Sequence, residues 1–354
     1  MTRLLIIKTG ALGDVLRTTS ILPGLAELHP ELSVTWVTSH AARQLVQDHP
    51  LVDVVEGVAP GDTHELRLLT KKLAAHPFDR VLSFDDEEPL CRLARDIQLV
   101  DENGVGLSGA YLDDTDTPVY TDDTALWFDM GLISRHGKEQ ADRLKVENKL
   151  SHPEIFAAML GIAPGKPVLE LTESAKSFAE EFSERWELDH RRPLIGLNTG
   201  ASARWPSKEL SVERTVAMAA RISEGRHGRV TFLVLGGTAE QERNREVLSG
   251  MRAREPKLVA IDGGAANDLQ EFAALVGLVD LLVSSDSLAL HMGIALDRRI
   301  VCFFAPTSAA EIDLYGQGLK VISTAPDYCS YRPNADNSSI TPEPLCEAVL
   351  ELLA

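Results

Sequence analysis

Four stretches of the chain set chemically able residues on short turns. Lys8-Thr9-Gly10-Ala11-Leu12-Gly13-Asp14 follows an apolar run, Leu4 to Ile7, and opens an apolar-spaced segment. Gly10 and Gly13 let backbone approach a ligand closely. A helix start behind them offers free N–H groups to an anion. The carboxylate of Asp14 can accept a proton from an attacking hydroxyl. An acid at this position also complements a helix dipole without doing chemistry, and spacing alone leaves both readings open. The turn has neither the GxGxxG spacing of a dinucleotide site nor the GK[ST] of a P-loop.

The second stretch, Asn198-Thr199-Gly200-Ala201-Ser202-Ala203-Arg204-Trp205-Pro206-Ser207-Lys208, combines small residues, hydroxyls and two cations after a strand. Those are the groups that meet a diphosphate and stabilise it as a leaving group; a solvated loop is the plainer reading. The third, Ser284-Ser285-Asp286-Ser287-Leu288-Ala289-Leu290-His291, is another strand-to-helix turn. Asp286 or Ser287 suits a helix cap. His291 lies one helical turn after Ser287, so the two can share a face; a core histidine is the alternative. In the fourth, Gly236-Gly237-Thr238-Ala239-Glu240, the glycine pair lets a flat group reach backbone. Glu240 is placed either to bond a nucleoside hydroxyl or adenine amine, or simply to start a helix.

The elements that would carry these turns alternate. Strands are expected at Leu4–Ile7, Ser33–Val37, Val52–Val55 and Arg80–Phe84. Helices are expected at Val15–Leu28 (bent at Pro23), Ala41–Asp48 and His64–His76. After a less regular stretch, residues 104–123, come helical segments near 127–131, 138–149 and 152–160, the last stopping at Gly161. A second alternating run begins near Pro193. It has strands at 194–197, 230–235, 258–261, 281–283 and 300–304, helices between them, and a closing helix at Pro344–Leu353. This is the pattern of open parallel sheets covered by helices, in which ligands bind beyond the carboxyl ends of the strands. Two such domains facing one another would form a cleft there.

Bulk properties narrow the function. A chain of 354 residues has room for two domains. Its net charge of -18 disfavours nucleic acid and requires that any anionic ligand meet a local cation or backbone N–H groups. Cys91, Cys302, Cys329 and Cys346 form no CxxC pair, so reduced thiols and no metal site are expected. No secretory segment and no membrane-length apolar run is visible, which points to a cytoplasmic protein. Arg67, Lys71 and Lys72 share a predicted helix and could meet an acidic or phosphorylated ligand, or only water.

Taken together, the opening strand with Gly-Ala-Leu-Gly-Asp, Thr18-Thr19-Ser20-Ile21-Leu22-Pro23, Trp36-Val37-Thr38, Asn198-Thr199-Gly200-Ala201, Arg204-Trp205-Pro206, Ser285-Asp286-Ser287 through His291, and Phe304-Ala305-Pro306-Thr307 resemble glycosyltransferase family 9, the heptosyltransferase type. The likeness runs nearly end to end and rests on the order and spacing of these motifs. It implies a GT-B fold of two Rossmann-like domains, with the acceptor on the first and the donor on the second. It implies metal-independent, inverting transfer from a nucleotide sugar, typically ADP-heptose, to a lipopolysaccharide core or another lipid-linked glycan, with no cofactor and at most peripheral membrane contact. Carried over position by position, Asp14 matches the catalytic base and Lys208 the lysine that neutralises the leaving diphosphate, with Arg204 competing for that role. Thr199, Gly200, Ala201, Ser202, Arg204, Glu240, Asp286, Ser287 and His291 correspond to donor contacts. Thr9, Gly10, Gly13, Arg67 and Lys71 fall to the acceptor. Glu209-Leu210-Ser211 departs from the family's Trp-Pro, and Leu288 stands where the family has glycine. The expected boundaries are 1–175 for the acceptor domain, 176–192 for a linker, 193–340 for the donor domain, and 341–354 for a closing helix that packs back toward the first domain. A nucleotide-sugar epimerase on the same fold and a non-catalytic nucleotide-sugar binding protein are the rival readings.

Overall fold

The computed structural model describes residues 1–98, 106–201, 205–254 and 258–354. The chain forms two compact units, Met1–Glu170 and Leu171–Ala354.

The first unit holds strands β1 (Thr2–Ile7), β2 (Leu32–Ser39), β3 (Val54–Val58), β4 (Arg80–Ser83), β5 (Gly106–Leu112) and β6 (Pro118–Tyr120). Their order in the sheet is β3-β2-β1-β4-β5-β6. All neighbours are parallel except β6, which pairs antiparallel with β5. Its helices are α1 (Leu12–Thr18), α2 (Leu22–Leu28), α3 (Thr63–Ala74), α4 (Glu88–Gln98), α5 (Ala125–Phe128), α6 (Lys138–Glu147) and α7 (His152–Leu160). Four consecutive buried residues, Leu4 to Ile7, mark β1 as a central strand covered on both faces. Leu5, Ile7, Val37 and Val81 share one apolar cluster with Leu66, Leu69 and Leu73 of α3 and Leu90, Leu93 and Ile97 of α4.

The helix expected from Val15 to Leu28 is instead two helices. It begins earlier, at Leu12, and tightens to a 3₁₀ turn at Thr19–Ile21, just before Pro23. Proline has no N–H to give the preceding turn and is tolerated only near a helix start, and Pro23 lies in the first turn of α2. The expected helix at 41–48 is a 3₁₀ segment, His40–Leu45, capped by the Ser39 hydroxyl. α7 ends as expected at Gly161, which takes a left-handed conformation with φ 66°.

The second unit holds β7 (Leu194–Asn198), β8 (Thr231–Leu235), β9 (Ala260–Asp262), β10 (Leu281–Ser285), β11 (Arg299–Phe304) and β12 (Gly318–Ile322). They run parallel in the order β12-β11-β10-β7-β8-β9. Its helices are α8 (Glu173–Arg185), α9 (Val212–Gly225), α10 (Gln241–Arg252), α11 (Leu269–Leu278), α12 (Leu288–Ala295) and α13 (Pro342–Leu352). The segment read as a linker is largely α8, which buries Ala175 and Phe182 and packs on α11. The closing helix, expected to turn back toward the first domain, puts Leu345 and Val349 into the same apolar cluster as Met218 and Ile222 of α9. Its apolar face is thereby covered within its own unit.

Read from β1 or from β7, the two sheets have the same strand order. In each, the direction of winding reverses between the two middle strands, β1 and β4 or β7 and β10. Crevices form at the carboxyl ends of such strands. Gly109 on β5 presses on the carboxyl end of β4: its φ is +115°, and a β-carbon there would lie 1.9 Å from the carbonyl oxygen of Ser83, the last residue of that strand. Gly109→Ala should therefore cost about 3 kcal/mol or more in urea unfolding of the first unit. Gly61→Ala, where a β-carbon meets nothing within 4 Å, should stay within about 0.5 kcal/mol of the parent.

Candidate functional site

At the first reversal, Asp85 gathers the end of β1. The Lys8 ammonium lies 2.6 Å from its Oδ1. The Thr9 backbone N–H and hydroxyl donate to its Oδ2 at 2.5 and 2.8 Å. The Trp36 indole donates to the Lys8 carbonyl at 3.2 Å, fixing the same residue from β2. Burial works against the Lys8 ammonium, but the carboxylates of Asp85 and then Asp14 outweigh it and hold its pKa above the ordinary lysine value. The next acids, Asp86 and Glu87, are pushed up, chiefly by burial. Sequence reading passed over Asp85 as a candidate, although a carboxylate two residues past the end of a central strand is the available signal.

Past this latch the chain enters α1. Ala11 stands at its N-cap and offers no side-chain cap, and Asp14 lies in the first turn. Asp14 thus stands where an acid complements the helix dipole. Its Oδ1 is 2.9 Å from the Arg17 guanidinium, and its side chain is 37% exposed while that of Arg17 is 13% exposed. A β-carbon at Gly10 would meet nothing within 4 Å. Thr9, expected to touch an acceptor, is buried and has given its hydroxyl to Asp85. Arg67 and Lys71 are exposed on α3, and Lys72 beside them pairs with Glu56 at 2.7 Å. Among the described residues, no hydrogen bond or ion pair links Arg67 or Lys71 to the β1 turn.

At the second reversal, the latch is an amide. The Asn198 side chain donates to the Gly200 carbonyl at 2.8 Å and to the hydroxyls of Ser284 and Ser287, each at 3.1 Å. Ser287 does occupy the N-cap of α12, but its hydroxyl makes no cap bond; it is engaged with Asn198 and Ser284 instead. The Lys208 ammonium donates to the Asp286 carbonyl at 2.7 Å and to its Oδ2 at 3.0 Å. It also lies 5.3 Å from the Trp205 ring centre. His291 Nε2 is 3.6 Å from the other Asp286 oxygen, and the ring is buried. Lys208, Asp286, Ser287 and His291 are therefore one cluster. Ser202 and Arg204 lie outside the described residues.

The loop that carries Lys208 is strapped down by residues no motif revealed. Asn337 donates to the carbonyls of Ser207 at 3.1 Å and Glu209 at 2.8 Å, and Arg243 pairs with the Glu209 carboxylate. Leu210 enters the core and the Ser211 hydroxyl caps α9. Thr199 is buried and directs its hydroxyl at Asn244 Oδ1, 2.5 Å away. Glu240 is buried and accepts the Gly237 N–H at 2.9 Å, so the helix-start reading describes its hydrogen bond. Gly200 presses on it: a β-carbon there would lie 2.1 Å from Glu240 Cγ. All four cysteines are buried.

The Lys8–Asp85 pair yields a prediction. Removing one partner of a buried pair strands the other charge and costs about 3 kcal/mol, so Lys8→Met should lower the urea midpoint accordingly at neutral pH. Because the folded-state pKa of Lys8 is raised from 10.5, its contribution is complete below that value. It is lost as pH rises through the higher folded-state value. The parent should thus lose stability at alkaline pH by a term that Lys8→Met lacks, read from urea midpoints taken across that range.

Residues 123–338, more than half of the chain, match the family described as glycosyltransferase family 9 (heptosyltransferase). Lipopolysaccharide heptosyltransferase 2 of Salmonella typhimurium is 27% identical over 150 residues, which are 40% of this chain and 38% of that protein. The match therefore spans well under half of that relative's length. A solved glycosyl transferase family 9 structure from Veillonella parvula superposes with a TM-score of 0.71 at 20% identity, over 99% of this chain and 97% of that one. The E. coli ADP-heptose lps heptosyltransferase II does so with a TM-score of 0.68 at 17% identity, over 100% and 98%. At these identities the structural likeness speaks for the fold alone, which is GT-B, built of two Rossmann-like α/β units. With its second switch point inside the matched span, the chain belongs to glycosyltransferase family 9.

Proposed function

We propose that this protein is an inverting, metal-independent glycosyltransferase. It moves a heptose or similar sugar from a nucleotide-diphosphate donor, ADP-heptose, to a lipopolysaccharide core or related glycan. The observation that carries this reading is the Lys208–Asp286–His291 cluster beside the uncapped start of α12, within the span that matches the family. A cation held at a helix start, with backbone N–H groups beside it, suits the growing charge of a leaving diphosphate.

In this reading the acceptor hydroxyl gives its proton to the Asp14 carboxylate. Its oxygen forms the new bond at the anomeric carbon as the bond to the diphosphate oxygen breaks and takes the electron pair. Lys208 meets that charge. Since the Thr199 hydroxyl is turned inward, the donor contacts of Thr199, Gly200 and Ala201 are made by backbone. Ser287 and His291 border the phosphates, and Glu240 borders the nucleoside. Thr9, Gly10 and Gly13 contribute backbone to the acceptor site, and Arg67 and Lys71 take acidic groups of the acceptor. No described helix is long and apolar enough to cross a membrane; a lipid-linked acceptor is met at the cytoplasmic membrane surface. Family membership does not favour the epimerase reading.

Asp14→Ala should lower kcat by about 10²–10⁴-fold, the usual worth of a general base, while the thermal shift given by ADP stays that of the parent. Lys208→Met should lower kcat by about 10²-fold or more and weaken that shift as well. Near-normal turnover in Asp14→Ala, assayed as ADP release from ADP-heptose with heptose-free lipopolysaccharide core, would remove Asp14 from the mechanism.

A further inference from the structure

The pair formed by Asp14 and Arg17 differs from an ordinary helix-surface ion pair. Such i,i+3 pairs lie in solvent and contribute only a few tenths of a kcal/mol. Here the carboxylate is partly open to solvent while the Arg17 side chain, at 13% exposure, is mostly covered. Arginine is rarely buried unless something fixes it. The Arg17 guanidinium carbon lies 5.5 Å from the centre of the Trp127 ring, within range of a cation–π contact. Trp127 in turn packs against His152 and Phe156, with ring centres 5.4 Å away in each case. His152 and Phe156 stack at 4.0 Å, and Phe156 meets Phe84 at 4.8 Å. Phe84 immediately precedes Asp85. An aromatic shelf thus runs from the latch at the end of β4 to the underside of Arg17.

We infer that Arg17 is a positioning residue for Asp14: resting on this shelf, its guanidinium holds the carboxylate ionised and in one orientation for proton transfer. The inference rests on the reading of Asp14 as the base. A planar guanidinium suits the task, since it stacks on an aromatic face and bonds a carboxylate in a fixed geometry, which an ammonium does not. Among the described residues, Lys8 is close enough to Asp85, Asp14 and Arg17 to feel each charge, and His152 packs on the Trp127 ring. Lys8 is already committed to Asp85 at 2.6 Å, so it does not replace Arg17.

The test compares the parent with Arg17→Met, Arg17→Lys, Asp14→Ala and the double variant Asp14→Ala/Arg17→Met. Each is assayed with ADP-heptose and heptose-free lipopolysaccharide core, and ADP binding serves as the check of folding. Misplacing a reacting group by about 1 Å costs on the order of 10²-fold, so Arg17→Met should lose about that much kcat with little change in either KM. The acid limb of its kcat/KM profile should move to higher pH by about one unit, because a nearby cation favours the ionised carboxylate. Arg17→Lys should recover part of kcat and most of the acid limb. In the Asp14→Ala background, Arg17→Met should cost nothing further. A rise in acceptor KM at unchanged kcat, or a full additional loss in the Asp14→Ala background, would overturn the inference. Those outcomes mark Arg17 as an acceptor contact or a purely structural residue. If Asp14→Ala itself keeps turnover, the base assignment fails first, and that result is read from a different variant.

Discussion

Both units depend on one constraint: where a parallel sheet reverses its winding, the two middle strands send their chains to opposite faces, and something must tie the diverging ends. In each unit a single short polar side chain does so. Asp85 accepts three donors from the end of β1. Asn198 spans from the end of β7 to Ser284 and Ser287 at the end of β10. These ties are buried or half-buried, where an unmet polar group costs about 1–3 kcal/mol. Each fixes the start of the helix that follows. Asp14 hangs on the first, the Lys208–Asp286 pair on the second.

The charges at both reversals follow a common scheme. A chain with net charge -18 does not draw in an anion by its overall field. Its two site lysines are each held by one aspartate, Lys8 by Asp85 and Lys208 by Asp286. The Asp85 carboxylate keeps Lys8 charged despite its burial, and both ammonium groups are fixed in place by their partners. On the proposed reading, recognition of a diphosphate depends on geometry at one point and little on the field of the whole molecule. Placement of that kind is the larger part of electrostatic catalysis.

The sequence showed the strands of both middle regions and the residues at their ends, because buried parallel strands read as unbroken apolar runs flanked by glycine and hydroxyl residues. It showed α7 to the residue, since Ser151 and Glu154 form a capping box and Gly161 ends the helix. It missed α4, whose start is hidden in the acidic run Asp85–Glu88 and whose Pro89 is harmless only because it sits in the first turn. It missed β12, a half-exposed edge strand without a continuous apolar signature. Lys208, Asp286 and His291 were legible as separate candidates. The ties that bring them together were not: Asn198 reaches partners 86 and 89 residues away, and Asn337 reaches back 130 residues to Ser207. Such bonds are products of the fold and leave no local spacing to read. The inward turn of the Thr9 and Thr199 hydroxyls was likewise invisible, because a hydroxyl after a strand looks the same whether it serves a ligand or a neighbour.

The central claim is direct displacement at an anomeric carbon with Asp14 as base, and stereochemistry tests it most directly. Proton NMR of a reaction with ADP-heptose and heptose-free lipopolysaccharide core would follow ADP formation and the anomeric configuration of the new linkage together. The account predicts ADP and glycoside appearing in equal amounts, with the anomeric configuration of the donor inverted. A product of retained configuration, or conversion of the nucleotide sugar without any acceptor, would contradict it.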